Sequence, residues 1–323
     1  MAELTYRAAI ARGIAQEMER DPSVVMIGED VAAAGGVFKT TEGLQARFGP
    51  DRVRDTPISE QAITGAIMGA AMNGLRPIGE LMFSDFLAVC WDIVANQIAK
   101  TRYMTGGQVS LPLVIRTANG GGTRFGGQHS QSLENWAMAV PGLKVVAPST
   151  PRDVVGLMAA AVRDPDPVIV FEHKKLFAVK QDVSDGEIVD RLGVATVVTR
   201  GSDVTIAALA AMVPVAVEAA ARLAASGVSA EVIDLRSLVP LDTRTLLESV
   251  SRTGRLVTVE ENPRLCGWGA EIASVVAEEI MWDLDGPIIR VTTPHCPLPA
   301  AAELEDLAIP SVERVVESVL RSR

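Results

Sequence analysis

The stretch LPLVIRTANGGGTRFGGQHSQ, Leu111 to Gln131, decides the fold class. Its opening run, Leu111-Pro-Leu-Val-Ile-Arg-Thr117, is apolar and rich in branched residues, the pattern of a strand buried on both faces. The run then breaks into a loop with five glycines and a single histidine, His129. Glycines let a backbone approach a ligand closely and adopt positive φ. In open parallel sheets, ligands bind beyond the carboxyl ends of the strands, where this loop stands.

The same alternation extends in both directions. A helix over Leu4–Arg20 feeds a strand at Val24–Gly28, and a Gly-rich turn follows at Ala34-Gly35-Gly36. Asp55-Thr-Pro-Ile-Ser-Glu60 opens a helix of small and apolar residues reaching about Asn73. Asp85 is placed to cap a long helix ending near Tyr103. Downstream, Leu143–Ala147 reads as a strand, and Ser149-Thr150-Pro151 starts a helix to Arg163 with Pro at its first position. Pro167–Glu172 is another buried strand. Residues 174 to 202 are more polar and read as a linker. A second series follows, with strands at Val204–Leu209, Ala230–Asp234, Arg255–Glu260 and Pro287–Thr292. Its helices are Val213–Ser226, Asp242–Ser251, Gly269–Ile280 and Ser311–Leu320. Short apolar strands alternating with helices predict an α/β protein with two parallel-sheet domains, residues 1–185 and 186–323.

Composition agrees. A chain of 323 residues suits two domains, and 48% hydrophobic with 22% charged residues excludes disorder. The net charge of −10 argues against a general nucleic-acid binder, which needs a basic surface. No apolar run approaches the roughly 18 residues of a spanning helix, so no membrane is expected. The N-terminus, Met1-Ala-Glu-Leu-Thr-Tyr6, lacks a basic stretch and an apolar signal core. Three widely spaced cysteines, Cys90, Cys266 and Cys296, suit neither a disulfide framework nor a Cys-based zinc site. A reduced, cytoplasmic compartment is the expectation.

Two residues carry chemical promise. Glu60 opens an apolar helix. A carboxylate there is favourable as simple helix-terminus electrostatics. Equally, reduced hydration would raise its pKa and let it share a proton with a ring nitrogen of a ligand. His129 is either an ordinary loop histidine or a functional one brought to the strand ends. His173 and His295 read as a solvated strand end and a structural turn. The chain has no G-x-x-x-x-G-K-[ST], H-E-x-x-H, C-x-x-C or G-x-S-x-G motif, and no dinucleotide fingerprint follows Gly28-Glu29-Asp30.

Nine motifs in order sharpen this picture: Gly28-Glu-Asp-Val31, Gly35-Gly-Val-Phe38, Thr41-Glu-Gly-Leu44, Asp55-Thr-Pro-Ile-Ser-Glu60, Gly74-Leu-Arg-Pro77, Gln128-His-Ser-Gln131, Pro141-Gly-Leu-Lys-Val-Val146, Arg163-Asp164 and Asp234-Leu-Arg-Ser-Leu-Val-Pro-Leu-Asp242. From about residue 4 to 322 the chain resembles the β subunit of the thiamine-diphosphate-dependent decarboxylating component of 2-oxo acid dehydrogenase complexes. Pyruvate and branched-chain types belong there, and acetoin dehydrogenase is closely similar. The resemblance implies a transketolase-type pyrimidine-binding domain followed by a transketolase C-terminal domain. It implies an α2β2 heterotetramer serving a lipoyl-bearing acyltransferase core, with thiamine diphosphate shared between α and β.

By the same resemblance Glu60 hydrogen-bonds the aminopyrimidine, Met82 and Phe86 line it, and His129 is the catalytic histidine. Leu113, Ala161, Asp164 and Asp166 match a potassium site. The family's Gly-Asp-Gly motif for diphosphate and Mg2+ is missing here, as befits a β chain whose α partner carries it. The implied activity is oxidative decarboxylation of pyruvate or a related 2-oxo acid with acyl transfer to lipoyl groups. Acetoin cleavage is the alternative, and a non-catalytic docking subunit a more remote one. Glu80-Leu-Met-Phe-Ser-Asp-Phe86, Tyr103-Met-Thr-Gly-Gly107, Glu172-His-Lys-Lys175 and Pro294-His295 look most like the acetoin and bacterial pyruvate branches.

Overall fold

The computed structural model describes residues 1–321 and divides the chain into two compact units. The first comprises residues 1–119 and 136–192. The second comprises 120–135 and the described residues from 193 on, so the Gly-rich loop goes with the C-terminal half. The elements run β1 (Ala2–Thr5), α1 (Tyr6–Arg20), β2 (Val24–Gly28), α2 (Leu44–Phe48), β3 (Val53–Asp55), α3 (Glu60–Met72), β4 (Arg76–Phe83), α4 (Leu87–Asp92), α5 (Ala99–Met104), β5 (Val114–Asn119), α6 (Glu134–Met138), β6 (Lys144–Val146), α7 (Pro151–Arg163), β7 (Val168–His173) and β8 (Lys180–Val183). They continue with β9 (Thr196–Thr199), β10 (Val204–Ala208), α8 (Met212–Ala225), β11 (Ala230–Asp234), β12 (Ser237–Val239), α9 (Thr243–Thr253), β13 (Leu256–Pro263), α10 (Trp268–Ile280), β14 (Ile289–Thr293), α11 (Ala302–Ala308) and α12 (Val312–Arg321).

In the first unit six strands form a parallel sheet in the order β6-β7-β5-β4-β2-β3. Every residue of β5 and β7 is buried, as their apolar runs require. Ile78, Val114 and Val168 stand in register across three neighbouring strands. The chain passes from β2 outward to β3 and then back past β2 to β4. Strand order therefore reverses between β2 and β4, and the crevice beyond their carboxyl ends is where such sheets place ligands.

Local chemistry sets the helix starts. Ser59 caps α3, its hydroxyl accepting the Ala62 N–H at 3.4 Å. Thr150 caps α7 by accepting the Asp153 N–H at 3.1 Å, ahead of Pro151. The helix α3 lies directly on β4: a Cβ at Gly79 would come 2.8 Å from Ile67. Glycine at that point lets helix and sheet close up.

The second unit has a five-stranded sheet, β14-β13-β10-β11-β9, parallel except for β9. Helices α8, α9, α10 and α12 are its amphipathic cover.

Several expected boundaries move. The helix expected from Leu4 starts at Tyr6, because Ala2–Thr5 pairs antiparallel with β8. The continuous helix expected from Asp85 to Tyr103 is broken. Ser84–Phe86 is a 3₁₀ turn with Asp85 buried inside it, and Ile93–Ile98 is a π-helical turn between α4 and α5. The strand expected from Leu111 begins at Val114, where the backbone after Pro112 first joins the ladder. The polar stretch expected as linker holds β8 and β9. The strand β4, central in its sheet, overlaps the Gly74–Pro77 and Glu80–Phe86 motifs, neither of which reads as a strand in the sequence. The helix α11 was not expected at all.

Candidate active site

The strand β2 delivers Glu29 to the topological switch point, and α3 brings Glu60 in its first turn. Both are buried, at 6% and 7% exposure. Such burial is costly for two carboxylates that approach each other. The consequence falls on Glu29: burial, and then the charges of Glu60 and Asp30, push its carboxyl above its ordinary value of 4.5. One Glu29 oxygen, Oε1, is buried with no hydrogen-bond partner. Glu29 thus gives up its proton less readily than an ordinary carboxyl, with Glu60 close enough to contribute to that shift.

Cys90 of α4 also feels the Glu60 charge. Burial first, with the Glu60 charge in support, pushes its thiol up to about 11 although a hydrogen bond with Thr64 opposes the shift. The Thr64 hydroxyl itself donates to the Glu60 carbonyl at 2.8 Å. Cys90 therefore stays a neutral thiol and a small apolar wall, not a nucleophile.

Met82 and Phe86 come from the end of β4 and the turn after it, and both are half-buried. Phe83, between them, is buried and fixed by edge-on rings: Phe38 at 5.6 Å and Phe86 at 5.5 Å between centroids. Phe86 is thereby held while part of its surface stays open. An unsatisfied carboxyl oxygen, a buried carboxyl group and a half-open aromatic ring are the complement of a flat heteroaromatic ring bearing N–H donors. The residues present fit an aminopyrimidine.

The structure brings Glu60, Met82 and Phe86 into the first unit, at one end of its sheet. His129 belongs to the second unit, half-buried in a tight turn where its N–H donates to the Gly126 carbonyl at 3.3 Å. The four residues matched to potassium lie at the opposite end of the first sheet from Glu60. Leu113 precedes β5, its carbonyl accepting the Val168 N–H, and Ala161 sits in the last turn of α7. Asp164 takes the Lys144 ammonium on both oxygens, at 2.6 and 2.7 Å. Burial disfavours ionised Asp166, but Arg102 and Lys144 outweigh it and hold its carboxyl below the usual range. Lys144 supplies there the positive charge a cation would bring. Among the described residues no group of three or more His, Cys, Asp and Glu side chains is arranged to hold a metal ion. Among them, too, no helix is long and apolar enough to cross a membrane.

Sequence reasoning missed Glu29 as a site residue. A signal was present: an acidic residue directly after a buried strand of a parallel sheet stands where ligands bind.

Comparison with known proteins agrees with this fold. Residues 2–180 match the transketolase pyrimidine-binding domain and residues 193–315 the transketolase C-terminal domain. The fold and its switch-point site thus define a transketolase-type two-domain protein. A solved split-gene transketolase, an inactive β4 tetramer, superposes with a TM-score of 0.82 at 26% identity, covering 99% of this chain and 98% of that one. The β subunit of acetoin:2,6-dichlorophenolindophenol oxidoreductase from Cupriavidus necator is 47% identical, over 99% of this chain and 97% of its own length. The mitochondrial pyruvate dehydrogenase E1 component subunit beta-2 of Oryza sativa is 43% identical, over 99% and 86%. The chain belongs to this family of transketolase-like dehydrogenase β subunits.

Proposed function

We propose that the chain is the β subunit of a thiamine-diphosphate-dependent 2-oxo acid dehydrogenase of the pyruvate type, active only with an α subunit in an α2β2 assembly. The supporting observation is the buried Glu29–Glu60 pair at the switch point, in the same unit as the half-open ring of Phe86. Bound thiamine diphosphate would supply a thiazolium carbon that adds to a 2-oxo group and takes up the electrons left when CO2 departs.

This chain's part is to hold the pyrimidine end. Glu60 hydrogen-bonds a ring nitrogen, which favours the imino form of the neighbouring amino group. Low polarity around Glu60 strengthens that shared proton. Burial, and then the charges of Glu60 and Asp30, raise the Glu29 carboxyl above its ordinary value, so it holds its proton to higher pH than a free carboxyl does. Met82 and Phe86 cover the ring and exclude water. His129 donates a hydrogen bond or proton to the substrate-derived group and to the incoming lipoyl sulfur. The diphosphate and its Mg2+ fall to the α subunit. A potassium ion at Leu113, Ala161, Asp164 and Asp166 belongs to the same proposal and has to displace Lys144. We place the assembly in the cytoplasm, serving a lipoyl-bearing acyltransferase core.

The second reading is acetoin dehydrogenase, in which a carbon–carbon bond of acetoin is cleaved. The 47% identity to an acetoin-oxidising relative, against 43% to the pyruvate one, favours it. Co-expression with the cognate α subunit, then assays with pyruvate, other 2-oxo acids and acetoin, separates the two. Both lipoyl groups and dichlorophenolindophenol serve as acceptors in that test. A pure, cofactor-loaded complex inert toward every one of these substrates would leave only the docking-subunit reading.

A further inference from the structure

The Gly-rich loop that carries His129 is fastened by buried carboxylates of its own unit. Gly120, Gly122, Arg124 and Gly126 all take positive φ, 82°, 80°, 68° and 74°. Alternating left-handed residues turn backbone N–H groups toward one side, forming a concave anion-binding nest. Here the anion is the protein's own Glu305, from α11. Its carboxylate is wholly buried. Oε1 accepts the Gly122 N–H at 2.9 Å, and Oε2 accepts the Arg124 N–H at 3.2 Å and the Arg124 guanidinium at 2.8 Å.

The guanidinium continues to both oxygens of Asp306, at 2.8 Å each, and to the Ala302 carbonyl at 2.9 Å. A second carboxylate, Glu261 at the end of β13, accepts the Gly121 N–H and the Ser132 hydroxyl. The fit leaves no slack: a Cβ on Gly121 would lie 2.6 Å from Leu298 and 3.0 Å from Ile309.

We propose that Glu305, seconded by Glu261, is a positioning residue for His129. A loop with so many glycines is entropically costly to order, and it needs strong local bonds to hold one shape. Three consecutive-region N–H groups on two buried carboxylates supply them. The turn that ends at His129 then starts from a fixed anchor. The proposal rests on the role given above to His129, and the test separates the two.

In the assembled holoenzyme, Glu305→Gln keeps the side-chain shape but sets an amide NH2 against a nest donor. Amide hydrogen exchange across residues 120–131 rises, with no change elsewhere in the sheets. The kcat for lipoyl acylation falls about tenfold, since a misplacement of about 1 Å costs up to about a hundredfold. The KM for the 2-oxo substrate moves by less than about twofold, as expected when ground-state binding is untouched. On a His129→Ala background the same change costs nothing further.

Should Glu305→Gln not assemble, Arg124→Met keeps both backbone bonds and loses only the guanidinium. It then gives a loss of about threefold with the same non-additivity. Unchanged exchange in the loop, or a loss that simply adds to that of His129→Ala, overturns the positioning role alone. A His129→Ala enzyme with full lipoyl acylation overturns the role of His129 and this inference with it.

Discussion

Glu60→Gln is the substitution that tests the site most directly. The change preserves size and leaves the Thr64 bond to the residue-60 carbonyl in place. It replaces a charge-assisted partner by a neutral one, about half as strong. Removing an acid–base partner in a buried site costs about 10² to 10⁴ in rate. At 1.36 kcal/mol per tenfold, that is about 3 to 5 kcal/mol. The neighbour decides where in that range the loss falls. Burial, and then the Glu60 charge, raise the Glu29 carboxyl above its ordinary value. With the charge gone, Glu29 ionises more readily and takes over part of the role. The expected loss therefore lies at the lower end, about a hundredfold in kcat. Stability changes little: the helix-terminus contribution lost is about 0.3–1 kcal/mol, and repulsion with Glu29 is relieved in return. The assay is steady-state turnover of the purified complex with its α subunit, beside a thermal melt. Turnover within about threefold of wild type, with the melt unchanged, would falsify the role given to Glu60.

Glu29→Gln has a signature in pH. The raised pKa of Glu29 means that the folded chain holds this proton more tightly than the unfolded one, so its stabilising contribution is complete below 4.5 and is lost as pH rises through the raised value. The variant should gain melting temperature relative to wild type at neutral pH and match it below 4.5; a constant offset across that window would contradict the assignment. Arg116→Met strands Glu80 and Glu172, both of which the guanidinium pairs within the sheet. Breaking a buried ion network in this way costs about 3–5 kcal/mol, read as a fall in the denaturant midpoint. A variant as stable as wild type would mean that the network is replaceable. Gly142→Ala drives a Cβ into the Ala99 carbonyl oxygen at a φ of +106°. Chemical denaturation should show a loss of at least about 1–3 kcal/mol, and an unchanged midpoint would refute the close approach.

Much was legible in the residues because it depends on local pattern. The apolar runs of β5 and β7, the Thr150-Pro151 start of α7 and the opening of α3 at Glu60 need only near neighbours to be read. Ordered motifs, through the family resemblance they carry, pointed to Glu60, His129, Met82 and Phe86 as candidates. What escaped depends on partners distant in the chain. The strand β4 looks unremarkable in isolation, with Arg76, Pro77 and Gly79, and becomes a strand because β2 and β5 flank it. Residues 2–5 extend rather than coil because β8, some 175 residues on, offers them a ladder. Glu29 gains its chemistry from burial beside Glu60, a proximity created when strand order reverses. Glu305 lies 176 residues after His129, in a short helix that no periodicity announces, yet it holds the loop. Sequence by itself determined most of the element types and the two α/β series, because hydrophobic period and capping act over a few residues. Only the tertiary structure decided which carboxyls are buried, which are paired and which loop each one holds, because desolvation and charge pairing are set by neighbours that the chain brings together only on folding.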